Sequence, residues 1–427
     1  MKVVRNLIVL SLALFVCGSF ALAETRVDVN GQVRIRDEVD NRSFWEDYKT
    51  LRFSVMRTRL NVTAIKDKNV TAFVQFQDSR TLGGFNQFGD RQSGQLNDSK
   101  NIDIHQAWIQ VDRLWLDGLG FKSGRMEFNL GNQRVFGAVG WHNVGRAWEG
   151  GLLWYKGENW KLTGFGFTAM ELNDPMSDRD FVVGGLVLDL DREGLQLFTA
   201  VEYDQDSINY VDNKLSRVTL GGYFKKVQET WDAEANLALQ TGTMVPNMLP
   251  STTKLDIFAF MFTGEIGYLF SGEGKGRVAF GIDYVSGDDD PTDSDQNAYN
   301  NLYYTGHKFR GYMDYFVASG STGLMDVMVR GKVNASPKLL LKADIHVFHA
   351  AKDYADPVDG STGKAVGKEI DLTVVSSHVK GLGLSGGASI FIPDQSFANV
   401  SVSLPGNIRE GSTDPAFWLY TMATVNF

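Results

Sequence analysis

Cysteine is almost missing from this chain: Cys17 is the only one in 427 residues. It lies inside a leader. Lys2 and Arg5 form a positive start, residues 7–16 an apolar core, and Ala21-Leu22-Ala23 a small-x-small cleavage site, so residues 1–23 read as a signal peptide. Leu14-Phe15-Val16 lacks the small residue that lipoprotein processing needs, so Cys17 is expected to leave with the leader. That excludes disulfides in a compartment that would permit them. After the leader there is no apolar run long enough for a membrane helix. Positive charge is also short. Without Lys2 and Arg5, 42 basic residues become 40 against 51 acidic ones, a balance of −11 that argues against a nucleic-acid partner. The six histidines show no zinc spacing; His346 and His349 are three apart on a strand pattern. There is no phosphate loop with its lysine and no nucleophile elbow. Only nine prolines occur. No linker or helical periodicity divides residues 24–427, which read as one domain.

What is present is a rhythm of short β-like segments joined by alternately short and long connections. Tight turns fall at 66–69, 156–159, 191–194, 271–276, 334–337 and 380–381. Long polar stretches fall at 81–101, 287–322, 350–368 and 393–414. Within segments the faces alternate. Val27, Val29, Val33 and Ile35 oppose Arg26, Asp28, Asn30, Gln32, Arg34 and Arg36; Val278, Phe280, Ile282 and Tyr284 oppose Arg277 and Asp283. Strands are expected at 26–36, 50–65, 69–79, 102–113, 119–129, 148–156, 160–169, 180–190, 195–204, 214–226, 231–241, 254–270, 276–286, 323–334, 338–348, 369–379, 382–392 and 415–427. In 50–65 the apolar parity changes between Val55 and Arg57, which predicts a bulge or a misplaced boundary.

These features predict an all-β fold: a transmembrane up-and-down antiparallel β-barrel of about 18 strands, with short periplasmic turns and long extracellular loops. An even count puts both termini in the periplasm. A barrel also reconciles 22% charged residues with a membrane location, because only alternate residues face lipid. The partner is then outer-membrane lipid, in a Gram-negative cell. In the last segment Phe417, Leu419, Thr421, Ala423, Val425 and Phe427 share one face. Such a strand closed by a terminal aromatic resembles the signal read by the barrel-assembly machinery. Trp418 and Tyr420 fit either an interfacial belt or the lumen.

The face opposite the lipid is rich in arginine: Arg34, Arg36, Arg57, Arg59, Arg125, Arg217, Arg277 and Arg330, joined by Lys332 and Lys342. Glu127, Glu202, Glu234, Asp283 and Asp344 share it. Guanidinium is permanently charged and holds carboxylates bidentately, so the set suits an anion-handling pore. Interspersed acids keep the lumen from trapping anions; each pair also fits a wall-stabilising salt bridge.

Two clusters go further. One runs Ser123-Gly124-Arg125-Met126-Glu127-Phe128-Asn129-Leu130-Gly131-Asn132-Gln133-Arg134-Val135-Phe136-Gly137, then Trp141, Arg146, Trp148, Glu149 and Gly150. The other runs Asp283-Tyr284-Val285-Ser286-Gly287-Asp288, then Asn301 to Asp314 with its Gly306-His307 and Gly311-Tyr312-Met313-Asp314. Both resemble the alginate-export family of outer-membrane porins, as do Gly387 to Pro393 and the tail Arg409-Glu410-Gly411-Ser412 with Asp414-Pro415. Met126 stands where that family's pattern has glutamine. The resemblance implies a monomeric barrel whose loop folds toward an arginine-lined constriction, with Arg125, Arg134, Arg146, Glu149, Asp283 and Asp314 near the pathway.

The function this points to is passive passage of anionic solutes, or export of an anionic polysaccharide such as alginate, without turnover chemistry. Trp141, Trp148, Tyr303, Tyr304 and Tyr312 would serve as stacking platforms for sugars or as lipid girdles. A general or substrate-selective uptake porin is the alternative, and a barrel with a blocked lumen a further one. An outer-membrane enzyme would need a trio such as Ser286, Asp283 and His307. No cofactor is required. The acidic stretch holding Asp288, Asp290, Asp293 and Asp295 reads as a solvated extracellular loop, although its carboxylates are calcium ligands in kind.

Overall fold

The computed structural model describes residues 25–42, 50–83, 102–171, 173–174, 177–178, 180–192, 194–206, 214–246, 253–272, 274–290, 292–356, 359–400 and 413–427. The leader at 1–23 and the tail motif at 409–412 lie outside them. Eighteen long strands follow in order: β1 Thr25–Asn41, β2 Leu51–Lys66, β3 Val70–Thr81, β4 Asp103–Val111, β5 Leu119–Met126, β6 Trp148–Lys156, β7 Trp160–Met170, β8 Phe181–Leu190, β9 Leu195–Asp204, β10 Leu215–Val227, β11 Trp231–Met244, β12 Leu255–Leu269, β13 Arg277–Val285, β14 Leu324–Ser336, β15 Leu339–Ala355, β16 Thr362–Ser376, β17 Leu382–Pro393 and β18 Ala416–Asn426. Each pairs antiparallel with the next, and β18 returns to β1. The sheet is therefore a closed barrel with no free edge.

The alternation seen in the sequence is the inside–outside pattern of the wall. Val27 and Val29 are exposed on the outer face, while Arg34, Arg36 and Glu38 are buried on the inner one. On β12 the outward residues Phe258, Phe260, Phe262, Ile266 and Tyr268 form an apolar strip for lipid. No helix among the described residues is long and apolar enough to cross a membrane; a six-residue helix, Gln395–Val400, leaves the end of β17.

Two expectations are corrected and one open alternative is decided. The bulge near Val55 does not form: β2 keeps continuous register with β1 and β3. Val55 and Arg57 both face inward and are both buried, so the parity change marks an apolar lumen residue. The stretch 350–368 is not a plain loop, since β15 and β16 carry their hairpin on to Ala355↔Thr362 through register shifts after Phe348. Above the bilayer a strand needs no apolar outer face, and so the pattern carried no signal there. Trp418 and Tyr420 face the lumen, both buried, with Trp418 Nε1 donating to Glu38 Oε2 at 2.8 Å.

The seam that pairs β1 with β18 from Gln32 to Asn41 is extended by the last residue. Gly31 N donates to Phe427 O at 2.8 Å, and Phe427 N donates to Gly31 O at 3.0 Å. A Cβ on Gly31 would stand 2.6 Å from the Phe427 ring and 2.7 Å from the Arg59 carbonyl, and the carbonyl belongs to a rigid neighbouring strand. Gly31→Val should cost about 1–3 kcal/mol through overpacking. It should therefore lower the temperature at which the folded barrel converts to its slow-migrating form on a gel. Gly166→Ala, with nothing within 4 Å of the added carbon, should not.

Candidate functional site

The chain leaves β5 at Met126 but does not turn outward. Residues 127–147 fold into the lumen before β6 begins. The stretch Tyr299 to Phe316, between β13 and β14, does the same. Inside, the two loops bind each other backbone to backbone. Gly137 N donates to Tyr303 O at 2.9 Å, Tyr303 N to Val135 O at 2.9 Å, and Thr305 N to Gln133 O at 3.0 Å. Their rings pack together: Phe128, Phe136, Trp148, Phe167 and Tyr303 form one aromatic cluster. Trp141 stacks on His307 at 4.3 Å, and His307 on Tyr312 at 5.3 Å.

The wall grips the first loop by its carbonyls. Arg34 Nη1 donates to Gly140 O at 2.8 Å and its Nη2 to Trp141 O at 3.1 Å. Arg57 Nη1 reaches Gly140 O at 3.2 Å, and Arg36 Nη1 reaches Trp141 O at 2.6 Å with its guanidinium 4.2 Å over the Trp141 ring. Val139, just before this turn, has φ +53°, a conformation costly for a β-branched residue. Arg59 holds the root of the loop through Glu127 at 3.1 Å, beside His105 Nε2 at 3.0 Å. Burial pushes the Glu127 carboxyl up, but the His105 hydrogen bond and the Arg59 charge outweigh it and leave Glu127 below its ordinary value.

Acids of β16, separated from β1 by β17 and β18, grip the second loop by its amides. Met313 N donates to Glu369 Oε1 at 2.8 Å and Tyr312 N to Asp371 Oδ2 at 3.3 Å. Asp283 on β13 serves both loops. It pairs with Arg134 of the first, and Arg310 Nε of the second donates to its Oδ2 at 3.0 Å, with all three side chains buried.

The residues singled out in the sequence thus separate. Arg34, Arg36, Arg57, Arg59, Glu127, Arg134, Arg146, Asp283, Asp314 and Arg330 are lumenal or loop-borne. Asp314 pairs with His307 at 3.0 Å and Arg42 at 3.5 Å. Arg330 Nη2 donates to Phe309 O at 2.6 Å and Nη1 approaches Glu265 at 3.4 Å. Arg125 and Glu149 are different. They pair with each other at 2.7 Å. Their neighbours Met126 and Trp148 face inward, which puts Arg125 and Glu149 on the outer wall, away from the expected pathway. Arg217 and Arg277 are inward but neutralised, by Glu202 at 2.8 Å and by Asp232 at 2.7 Å. Arg310, Glu369, Asp371 and Glu38 were missed. The last three alternate inward on their strands, and that was their signal. Trp148 and Tyr304 are buried lumenal residues, not lipid girdles.

Ser286, Asp283 and His307 do not converge. Ser286 Oγ donates to Asn297 O at 2.7 Å, while Asp283 and His307 serve the partners given above. The carboxylates of the acidic loop accept from its own backbone, as in Asp290 N to Asp288 Oδ1 at 3.1 Å and Asp295 N to Asp293 Oδ1 at 2.8 Å.

A family model for alginate export matches residues 25–399. The chain belongs to the alginate export family. Solved outer-membrane proteins share this porin's fold. OccK8 (OprE) of Pseudomonas aeruginosa superposes with TM-score 0.56 at 12% identity, and a BenF-like porin of Pseudomonas fluorescens Pf-5 with 0.57 at 13%. Pseudomonas aeruginosa OpdK, solved with vanillate, gives 0.55 at 13%. Each covers 94% of this chain and 98% of its own. No curated protein sequence matches. Family and fold together make the protein a Gram-negative outer-membrane porin channel.

Two outcomes follow for the loops of this alginate-export porin. Asp283→Asn leaves two buried guanidiniums without their carboxylate, a loss of about 3–5 kcal/mol. Trypsin should then cleave after Arg134 or Lys308 in folded barrels that otherwise resist it. Because the Glu127 pKa is depressed, its contribution is present above the ordinary glutamate value of 4.5 and is lost as pH falls through the depressed one. Peptide bonds beside Phe128, Leu130, Phe136 or Trp141 should open to pepsin in that range, and Glu127→Gln should remove the dependence.

Proposed function

We propose that this porin is a passive channel for anionic solutes, with an anionic polysaccharide of the alginate type as its cargo. One observation carries the reading. Arg34 and Arg57 stand directly opposite each other on β1 and β2. Their guanidiniums donate to the loop carbonyls and to the neutral side chains of Asn143 and Gln32. Neither makes an ion pair among the described residues. Like charges placed face to face oppose folding, so two unneutralised cations here are a sustained cost that a structural role alone does not explain. Buried in a low-dielectric wall, they are screened less by salt than surface charges are. They raise the local concentration of anions at the first loop.

The engagement of Ser286, Asp283 and His307 in separate structural contacts supports a channel without turnover chemistry. Transport then needs weak, repeated binding so that cargo both arrives and leaves. The terminal Phe427, exposed on the outer face beside Gly31, fits a recognition signal for barrel assembly, and the closed barrel fits a functional monomer.

The measurement is the reversal potential across a salt gradient in planar bilayers. Arg34→Gln combined with Arg57→Gln should reduce the anion-to-cation permeability ratio by roughly threefold or more, most clearly at low salt. Arg125→Gln, on the outer wall, should leave it unchanged. A double variant with the native ratio sinks the reading.

A further inference from the structure

The lipid-facing wall is not uniform. Where β13 to β16 approach their periplasmic turns, it holds a cavity of about 750 Å³. Gly331 and Ala343 stand opposite each other at its base, with Val278 and Leu372 continuing their row on either side. The next outward row toward the turns is Val333, Leu341 and Val374. We propose that this cavity binds an anionic glycerophospholipid of the periplasmic leaflet, taking an acyl chain along the groove and the phosphate at the basic turns below. The inference concerns the outer wall and does not depend on what passes through the lumen.

Side-chain size along the rows makes the groove. Alternation puts Asp344, Asp371 and Thr373 on the inner face, buried, and Ala343, Leu372 and Val374 on the outer one, with Gly331 opposite Ala343. One outward row farther from the turns lie Phe280, Val329, Ile345 and Ile370, all exposed. Two rows of bulky side chains thus flank a row whose middle positions are glycine and alanine. The turn 270–276 reaches over the end of β14: Asn334 N donates to Gly274 O at 2.9 Å and Asn334 Nδ2 to Lys275 O at 3.2 Å. Phe270, at the start of that turn, joins the lining. The volume falls in the range of small-molecule sites, about 300–1,000 Å³. An apolar slot of that size inside a bilayer suits a hydrocarbon chain.

Charge at the mouth gives the head group its sign. Elsewhere the short turns at this end include an acid, as with Asp67, Asp112, Glu158, Asp191 and Glu229. The turns at 337–338 and 377–381 differ: they hold Lys338, His378 and Lys380 and no acid. Ser377 N donates to Lys338 O at 2.9 Å, so the two turns adjoin. They connect the strands whose Val333, Leu341 and Val374 line the groove. Lys338 and Lys380 are exposed and make no ion pair among the described residues. The turn 270–276 carries Lys275 and Glu273 and adds no net charge. Lysines at a membrane surface attract anionic head groups. A greasy slot above a basic mouth matches a phospholipid, chain in the one and phosphate at the other.

The test is native mass spectrometry of the full-length barrel in detergent, with dioleoyl phosphatidylglycerol or zwitterionic dioleoyl phosphatidylethanolamine added. The barrel should retain one phosphatidylglycerol at a concentration where it retains no phosphatidylethanolamine. Gly331→Leu should weaken that retention about tenfold by filling the base of the groove. A Cβ there meets only the Ala343 carbonyl, at 3.6 Å, so the barrel should still fold, which its heat-resistant migration on a gel would report. Gly166→Leu, outward on β7 and away from the groove, should leave retention unchanged. Lys338→Gln combined with Lys380→Gln should weaken phosphatidylglycerol about fivefold for each charge removed and leave phosphatidylethanolamine as it was. A folded Gly331→Leu barrel that retains phosphatidylglycerol like the native one overturns the groove as the site. Equal retention of the two lipids by the native barrel, or an unaltered preference in the double lysine variant, overturns the anionic head group and with it the assignment.

Discussion

A peptide group taken away from water must find its hydrogen-bond partner within the protein, and this molecule meets that demand twice. In the wall, each strand satisfies its neighbours, and the circle closes only because β18 reaches β1, ending in the reciprocal Gly31–Phe427 bonds. In the lumen, two long loops bring further peptide groups into confined space. Some pair with each other across Val135–Gly137 and Tyr303–Thr305. Others pair within their own loop or are met by side chains of the wall, several of them charged.

Those charges are sorted by what they meet. Carbonyls of the first loop face the arginines of β1 and β2; amides of the second loop face the acids of β16. Each wall carries the sign complementary to the backbone group it receives. Asp283 ties the two systems together, since one carboxylate holds a guanidinium from each loop. Buried ion pairs of this kind add little net stability once desolvation is counted, but removing one partner is costly. Their effect is to fix where each loop lies.

Much of the barrel was legible because lipid imposes a simple rule on every second residue. The strand count, the closing strand and the inward arginines of β1 and β2 all follow from parity. Parity, applied strictly, would also have placed Arg125 on the face of Phe121 and Ser123, outside; the Gly-Arg motif drew it inward instead. Val55 misled for the complementary reason, because a lumen lined by folded loops has apolar places of its own. The inward course of the loops had no local signature. Arg134 finds Asp283 at a sequence separation of 149, and no periodicity reports a contact of that range. The motifs marked both loops as special without saying that they meet.

Counting basic residues on the inner face therefore overstates the charge a solute meets. Arg217, Arg277 and Arg330 have carboxylates beside them, and Arg36 and Arg59 are matched by Glu38 and Glu127. Arg134 and Arg310 share one aspartate between them, which leaves a positive surplus where the loops join. Arg34, Arg57 and Arg146 are held by neutral groups alone. The cations held by neutral groups alone lie on or under the inward loops, as do the acids Glu369 and Asp371 that hold amides of the second. On the proposed anion-channel reading, selectivity belongs to the loops and to the arginines that hold them, since Arg34, Arg57 and Arg146 meet neutral groups while most other inward arginines meet carboxylates.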